Sequence, residues 1–548
     1  MLAASIPAVY HPRSQTRRTG MTLAFGRQSR ITTRTMRTAR DFGLWLDDLS
    51  AAALARPAVA VAWIIGLYFA TWTLAQAVFF HAPRRDTVEI MALAPFWPLG
   101  MSKHPTLPVW LQEIAFLLTN RAIASTYALS MALMGGTLAL LWLFARRVTT
   151  PQIALIAVAL TLANYYFTAP VTQYNHNVPS LFFGAALVLV YREAILDGRM
   201  RYWLGVGIAG ACLVLTKYSG GFLLVALAVH ALLFAKGRAS LATPGPYLAL
   251  ALFAILMAPH LVWLSGADGS PIAYAFERRV EDVDLLDRIW IAASFILSQV
   301  AFHAGLLVAL VLVGLRWSRD ATPIVVDNPR VTRFDLSLVL VATLAPMLIN
   351  ALINAVSAVQ ARPEWGGAYF FFSGLAVLML LPRRLYLLNP RGGSLLVGIL
   401  LFVLPFAVVV APSFTRPTHP VLYPAQDIAR AVEQEWRAVA GDAPLRYLIG
   451  PGDTATYAIA TYLDPIPLVV HGPNPALGLP FQGSDLRSAG AAVVWPTGGQ
   501  PVLPPPIASD APALPRQAKP ISPMRHNLSG EGPPVDISIS VLPPQAQP

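Results

Sequence analysis

Charged residues are scarce in this sequence. Only 12% of its 548 residues are Asp, Glu, Lys or Arg, whereas soluble domains carry about 25%. Cysteine is nearly missing too. The single Cys212 sits inside an apolar run, which excludes a disulfide framework and a thiolate metal site and suits a small buried hydrophobe. Acids are outnumbered 28 to 40 by Lys and Arg, and the first 40 residues hold none. No P-loop occurs, and no G-x-G-x-x-G opens a helix after a strand, so no nucleotide cradle is expected. No internal repeat is visible.

What the sequence does have is hydrocarbon: 55% of its residues are hydrophobic. Runs able to cross a bilayer lie near 57–80, 122–144, 152–169, 178–191, 203–216, 220–235, 246–264, 291–315, 335–357, 367–381 and 394–412. A crossing helix needs about 20 residues, so 178–191, 203–216, 220–235 and 367–381 are short. Residues 203–235 read as two helices divided at "TKYSGG", because Arg199 and Arg201 precede the stretch while Lys236 and Arg238 follow it.

Eleven spans collect the basic connections on one side. These carry Arg146 and Arg147; Arg192, Arg199 and Arg201; Lys236 and Arg238; Arg316, Arg319, Arg330 and Arg333; and Arg383, Arg384 and Arg391. Positive-inside sorting makes that side, and the Arg-rich leader 1–50, cytoplasmic. The leader reads as a plain basic segment, with initiation at Met21 or Met36 open. The +12 net charge is thereby accounted for by membrane side, and no nucleic-acid partner is expected. The outer face receives the loops 81–121, 170–177, 216–220, 265–290 and 358–366 and everything after Pro412. Three regions follow: the leader, a membrane domain over 51–415, and an outer domain over 416–548.

That outer domain reads as small and α/β. Ile428, Val432 and Trp436 share one helical face, while "LRYLIG", "IPLVVHG", "AAVVWP" and "DISISVLPP" read as short strands. The Pro-rich stretch 497–534 reads as loop.

The outward loops gather polar groups. "RRDTVEIMALAPFWPLGMSKHPTLPVWLQEIAFLLTN" puts Asp86 and Glu89 three residues apart on one helical face, followed by Lys103 and His104. Its apolar stretches are too short to cross and suit helices lying in the interface. "QYNHNVPS" adds Gln173, Asn175, His176 and Asn177, and "TKYSGG" adds Lys217 and Tyr218 with Gly220 and Gly221. "PHLVWL" adds His260, "AFERRVEDVD" adds Glu277, Arg278 and Arg279, and "ARPEWGG" adds Arg362, Glu364 and Trp365. Each alone also suits a helix-end anchor or a structural side chain. Together they make an outer-face set of cations, carboxylates, amides and an aromatic platform, which suits a phosphorylated, lipid-attached sugar.

The motifs "RDTVE", "KHPTLPVWL", "YNHNVPSLF", "LTKYSGG", "PHLVWL" and "RPEWGG", taken as a set, resemble the bacterial family 39 glycosyltransferases. That group includes protein O-mannosyltransferases and the lipid A aminoarabinose transferase, and the similarity runs from about residue 57 to 415. The resemblance implies a GT-C fold, a polytopic helical membrane protein with a long first outer loop, and the positive-inside sorting puts its N-terminus inside and its C-terminus outside. The resemblance also implies a sugar donor on polyprenyl phosphate, hexosyl or pentosyl, and a lipid, glycan or protein acceptor. By family position Asp86 is the candidate general base or stabiliser of the acceptor nucleophile, with Glu89 second. Lys103 holds the donor phosphate, supported by His104, Asn175, His176, Lys217, Tyr218, Arg278, Arg362 and Trp365. Two features depart from the family: Thr87 and Val88 separate an acidic pair often found adjacent, and His104 stands between Lys103 and Pro105. A divalent metal at His104 or His176 is compatible with this set but not demanded by it. The rival reading is a polyprenyl-linked sugar flippase, whose polar groups belong at mid-membrane on broken helices. Here the mid-spans hold little beyond Asn164, Gln299, His303, Asn350 and Asn354.

Overall fold

The structure, a computed structural model, describes residues 41–548 apart from 267–269, 277, 314, 317–323, 328–330, 382–383, 388–389, 417–418, 452–453, 472–482, 500, 502, 505–518, 526–533 and 546–548. Most of the basic leader, Glu277 and much of the Pro-rich stretch therefore lie outside the described residues.

The membrane part runs α1 (Pro57–Phe79), α2 (Arg85–Leu93), α3 (Leu107–Leu118), α4 (Ala124–Val148), α5 (Pro151–Leu162), α6 (Asn177–Asp197), α7 (Met200–Thr216), α8 (Gly220–Leu233), α9 (Ala235–Ser240) and α10 (Pro244–Ser265). It continues with α11 (Ser270–Phe276), α12 (Leu285–Phe302), α13 (Ala304–Val313), α14 (Arg333–Ser357), α15 (Ser373–Leu380) and α16 (Arg391–Thr415). Among the described residues seven helices are long and apolar enough to cross a membrane, α12 and α13 counting as one. This is a multi-pass membrane protein.

Four of the eleven runs take other shapes. The 203–235 stretch does form two helices, α7 and α8, both shorter than a crossing. The run at 152–169 breaks and bends by 85°. Asn164 causes the break: its backbone is extended, and its side chain accepts from the Tyr166 N–H at 3.1 Å. The run at 367–381 gives only the eight-residue α15 after a 3₁₀ turn at Pro363–Ala368. Beyond what the sequence signalled, β1 (Leu315–Arg316), β2 (Ile324–Asp327) and β3 (Arg384–Leu387) form a small antiparallel sheet in the order β1-β3-β2.

The ends that carry arginine come together. Arg192 Nε, near the C-terminus of α6, donates to Asp335 Oδ1 at 2.6 Å in the first turn of α14. Its Nη1 donates to Glu193 at 2.9 Å, and Arg147 from α4 lies 3.5 Å from the same carboxylate. Thr332 caps α14 by accepting from the Asp335 N–H at 3.0 Å.

The C-terminal part folds as a five-stranded sheet in the order β5-β4-β6-β8-β7. The strands are β4 (Tyr447–Gly450), β5 (Leu468–His471), β6 (Ala491–Pro496), β7 (Lys519–Arg525) and β8 (Pro534–Leu542), with α17 (Ala425–Ala440), α18 (Thr454–Ala460) and α19 (Gly483–Ala489). β4 pairs in parallel with β5 and β6, and β8 pairs antiparallel with β6 and β7. Ile428, Val432 and Trp436 all point into its core. β7 falls within the stretch read as Pro-rich loop, because pairing with β8 outweighs the weak strand preference of "KPISPMR".

One helix joins the two parts. Val88 and Ala92 of α2 share the core of Ile428, Val432 and Leu448, whereas Ile90, Met91 and Leu93 of the same helix lie in the membrane core. Just before α2, the N–H groups of His81 and Ala82 both donate to the Val421 carbonyl, at 2.8 and 2.9 Å. Tyr462 Oη donates to the His81 carbonyl at 2.7 Å.

The Arg192–Asp335 pair is almost closed to solvent, so removing Arg192 strands the Asp335 carboxylate, while removing Asp335 leaves Arg192 with Glu193 alone. Asp335→Asn is expected to lower the thermal unfolding midpoint in detergent by several degrees. The Arg192→Gln/Asp335→Asn double variant should lose less than the two single losses added. Strict additivity would show that the pair is not coupled.

Candidate active site

A cavity of about 590 Å³ opens where α2, the broken end of α5, the start of α6, the α7–α8 turn, the Pro363–Ala368 turn and the segment after α16 converge. Arg84, Arg85, Lys217 and Arg362 line it with two carboxylates, Asp86 and Glu364. His104, Asn175, His176 and Trp365 also line it, as do Tyr165, Tyr166, Gln173, Asn177 and His419.

Lys217 is the most constrained of the cations. It follows the last residue of α7 in an extended conformation and is buried. Its Nζ donates to Asn177 Oδ1 at 2.8 Å and to the Trp365 carbonyl at 3.3 Å. Burial pushes the amine down to about 8, with Asp86 pulling the other way. The sharp turn here needs Gly220, since a Cβ at that position would stand 2.6 Å from Leu213 Cγ and 2.9 Å from the Leu213 carbonyl oxygen. The Trp365 carbonyl depends on a similar approach. A Cβ on Gly366 would fall 2.1 Å from Gln299 Oε1. Gln299 in turn accepts from Tyr166 Oη at 2.6 Å and donates to the Pro363 carbonyl at 2.9 Å. Two of the mid-span polar residues, Asn164 and Gln299, therefore set the shape of the cavity wall.

Asp86 lies in the first turn of α2, where the helix dipole favours a carboxylate. Asn175 Nδ2 donates to its Oδ2 at 3.4 Å. Arg84, just before the helix, donates to Thr172 Oγ1 at 2.8 Å. Burial lowers the Arg84 guanidinium, against the pull of Tyr165 and Asp86.

His104 and His176 stack with ring centroids 4.2 Å apart. Burial, then His176 and the lysines Lys217 and Lys103, hold His104 well below the ordinary histidine range. Burial and Lys217 likewise push His176 down to about 3, against a hydrogen bond to the Pro105 backbone. Proline offers only a carbonyl, so the bonded nitrogen of His176 carries the hydrogen. His176 Nε2 is buried without a partner among the described residues. His419 is also held low, by burial and by Arg84 and Arg416.

The structure thus brings Asp86, His104, Asn175, His176, Lys217, Arg362 and Trp365 to one cavity. It sets Glu89, Lys103, Tyr218 and Arg278 apart from the lining. Lys103 Nζ donates to Glu89 Oε1 at 2.7 Å. Glu89 faces the C-terminal part, where it acts with burial to raise the hydroxyl of Tyr457 on α18. Tyr218 Oη meets His260 Nε2 at 3.1 Å, while His260 Nδ1 meets the Leu99 carbonyl at 2.8 Å. Since that carbonyl only accepts, His260 carries a hydrogen on Nδ1. Arg278 lies behind the platform, its guanidinium 5.9 Å from the Trp365 ring centre.

Arg84, Arg85, Tyr165, Tyr166 and His419 line the cavity without having been singled out from the sequence. The two arginines immediately precede Asp86 and were open to view. The tyrosines were hidden inside an apolar run that reads as unbroken. Among the described residues no three His, Cys, Asp or Glu side chains come together as ligands for a metal ion.

Residues 103–263, under a third of the chain, match the family described as dolichyl-phosphate-mannose-protein mannosyltransferase. The crystal structure of ArnT from Cupriavidus metallidurans bound to undecaprenyl phosphate superposes with a TM-score of 0.55 over 87% of this chain and 97% of that one, at 11% identity. The fold is GT-C. The resemblance read from the motifs is borne out at that level. Apo ArnT from the same organism gives a TM-score of 0.47 at 12% identity, covering 89% of this chain and 98% of that one. The oligosaccharyltransferase AglB from Archaeoglobus fulgidus, in complex with an inhibitory peptide and a dolichol-phosphate, gives 0.33 at 12% identity, covering 79% and 69%. No curated protein matches the chain.

A depressed amine in this GT-C cavity has a measurable consequence. Between pH 8 and the ordinary lysine value of 10.5, the unfolded chain holds a proton on Lys217 that the folded chain has released. Stability therefore rises with pH across that window, by at most about 1.4 kcal/mol per unit. The wild type should gain on Lys217→Met between pH 8 and 10 in detergent unfolding experiments. A constant difference would place the amine at its ordinary value.

Proposed function

We propose that this protein is a glycosyltransferase of the inner membrane that moves one sugar from a polyprenyl-phosphate carrier to an acceptor at the outer face. The observation that carries this is one cavity holding Asp86 beside four cations, one of them the buried Lys217. Four cations against two carboxylates leave positive charge for an anionic ligand. The GT-C relative from Cupriavidus metallidurans holds undecaprenyl phosphate, which supports choosing that carrier class here.

In the transfer, the bond from the anomeric carbon to the phosphate oxygen breaks and the electron pair leaves with the polyprenyl phosphate. The acceptor oxygen bonds to the same carbon, and its proton passes to Asp86. Negative charge grows on the phosphate as the bond lengthens, so fixed cations stabilise the transition state more than the bound donor. We assign this role to Lys217, with Arg84, Arg85 and Arg362 in support. Lys103, the phosphate lysine by family position, lies outside the cavity lining and already donates to Glu89. Trp365 offers the sugar a flat apolar face, and Asn175 orients Asp86.

Basic connections gathered at the far end of the helices support an outward-facing cavity. Either a hexose or a pentose fits this account, and the acceptor is a lipid, a glycan or a protein.

Asp86→Asn is expected to cut transfer by about 10²–10⁴-fold without lowering expression. Full transfer by that variant would remove Asp86 from its role. For undecaprenyl phosphate affinity in detergent, Lys217→Ala should lose about tenfold or more, as for a charged hydrogen bond, and Lys103→Ala less. The reverse order would return the phosphate to Lys103.

A further inference from the structure

A second cavity, of about 460 Å³, lies at the opposite end of the same helices from Asp86 and Lys217. Tyr191 and Ile195 of α6 line it, with Trp203 of α7, Leu227 and Ala228 of α8 and Leu250 of α10. It is apolar, and its lining hydroxyls are already engaged. Tyr191 Oη meets His230 Nδ1 at 2.9 Å, and Ser240 Oγ donates to the Gly237 carbonyl at 2.6 Å. No part of the proposed transfer uses it.

Its surroundings carry charge of one sign. Arg199 and Arg201 stand at the start of α7, two to four residues before Trp203, and Lys236 and Arg238 lie on α9, which ends at the lining Ser240. All four are exposed. One carboxylate, Asp197, offsets them, and it is paired with Arg199 at 3.1 Å. Arg238 spends one N–H on the Leu232 carbonyl at 3.0 Å. Lys236 makes no ion pair among the described residues.

We propose that this groove is a binding site for an anionic glycerophospholipid. One acyl chain lies between α6, α7, α8 and α10, and the phosphate is met by Lys236, Arg238 and Arg201. An apolar slot whose lining hydroxyls are already bonded fits a hydrocarbon chain. Unpaired cations at its mouth fit a head group of net negative charge over a zwitterionic one. The α9 helix makes this arrangement: it places two cations directly beside the slot that α8 and α10 line.

The test uses the full chain in detergent and native mass spectrometry, with phosphatidylglycerol and phosphatidylcholine of matched acyl chains as probes. Each basic residue near an anionic head group adds about fivefold, so the wild type should prefer phosphatidylglycerol by about tenfold or more. Lys236→Gln/Arg238→Gln should bring the two lipids close to equal. Ala228→Trp fills the slot from an exposed position and should weaken both. Equal binding of the two lipids by the wild type would overturn the site, as would unchanged phosphatidylglycerol binding by Ala228→Trp. A second copy of the chain occupying the groove would appear as dimers lost in Ala228→Trp, and would equally overturn it. The readout is lipid retention, so it stands or falls apart from sugar transfer.

Discussion

Holding an ammonium where hydrocarbon ends is the constraint around which this cavity is arranged. Taking Lys217 out of water is costly, and two neutral acceptors, Asn177 and the Trp365 carbonyl, replace part of the lost hydration. Both must be brought within reach. Asn177 opens α6 behind the sharp turn of Asn175, and Trp365 rides on a turn that packs against Gln299 only because residue 366 lacks a side chain. The helix break at Asn164 belongs to the same arrangement, since it swings Tyr165 and Tyr166 aside and gives Gln299 a partner. The polar groups at mid-span thus act as braces for a site at the helix ends.

Asp86 is fixed by a different device. Its short helix is gripped from both sides, by membrane-core residues through Ile90 and Met91 and by the C-terminal sheet domain through Val88 and Ala92. A helix this short is marginal by itself, so its orientation comes from these two contacts. The Lys103–Glu89 pair and Tyr457 lie along the same seam, which links the C-terminal sheet domain mechanically to the carboxylate.

Much of this was legible from residue order, and the reasons are specific. Long apolar runs reveal spanning helices because hydrocarbon demands them, and the arginine clusters mark one set of ends. Short apolar runs such as "AAVVWP" and the Ile428–Val432–Trp436 face reveal the C-terminal fold. The bend at Asn164 was not legible, because one amide among apolar neighbours looks like any tolerated polar residue. Nor was the partner of Lys103: Glu89 and Lys103 are fourteen positions apart, and only the path of the intervening loop decides whether they meet. Lys217 and Lys103 were both visible as cations, but burial separates them, and burial is a property of packing. His419 carries no local signal at all.

His419, Pro420 and Val421 form one wall of the cavity, and they follow the last long apolar helix. During synthesis every membrane helix is made before this wall exists. A chain released after Thr415 would hold its bundle, its lysine and its carboxylate, but the cavity would gape on one side and α2 would lack half its grip. Completion of the cavity is thereby tied to the segment made after the last long apolar helix, and the bundle alone does not close it.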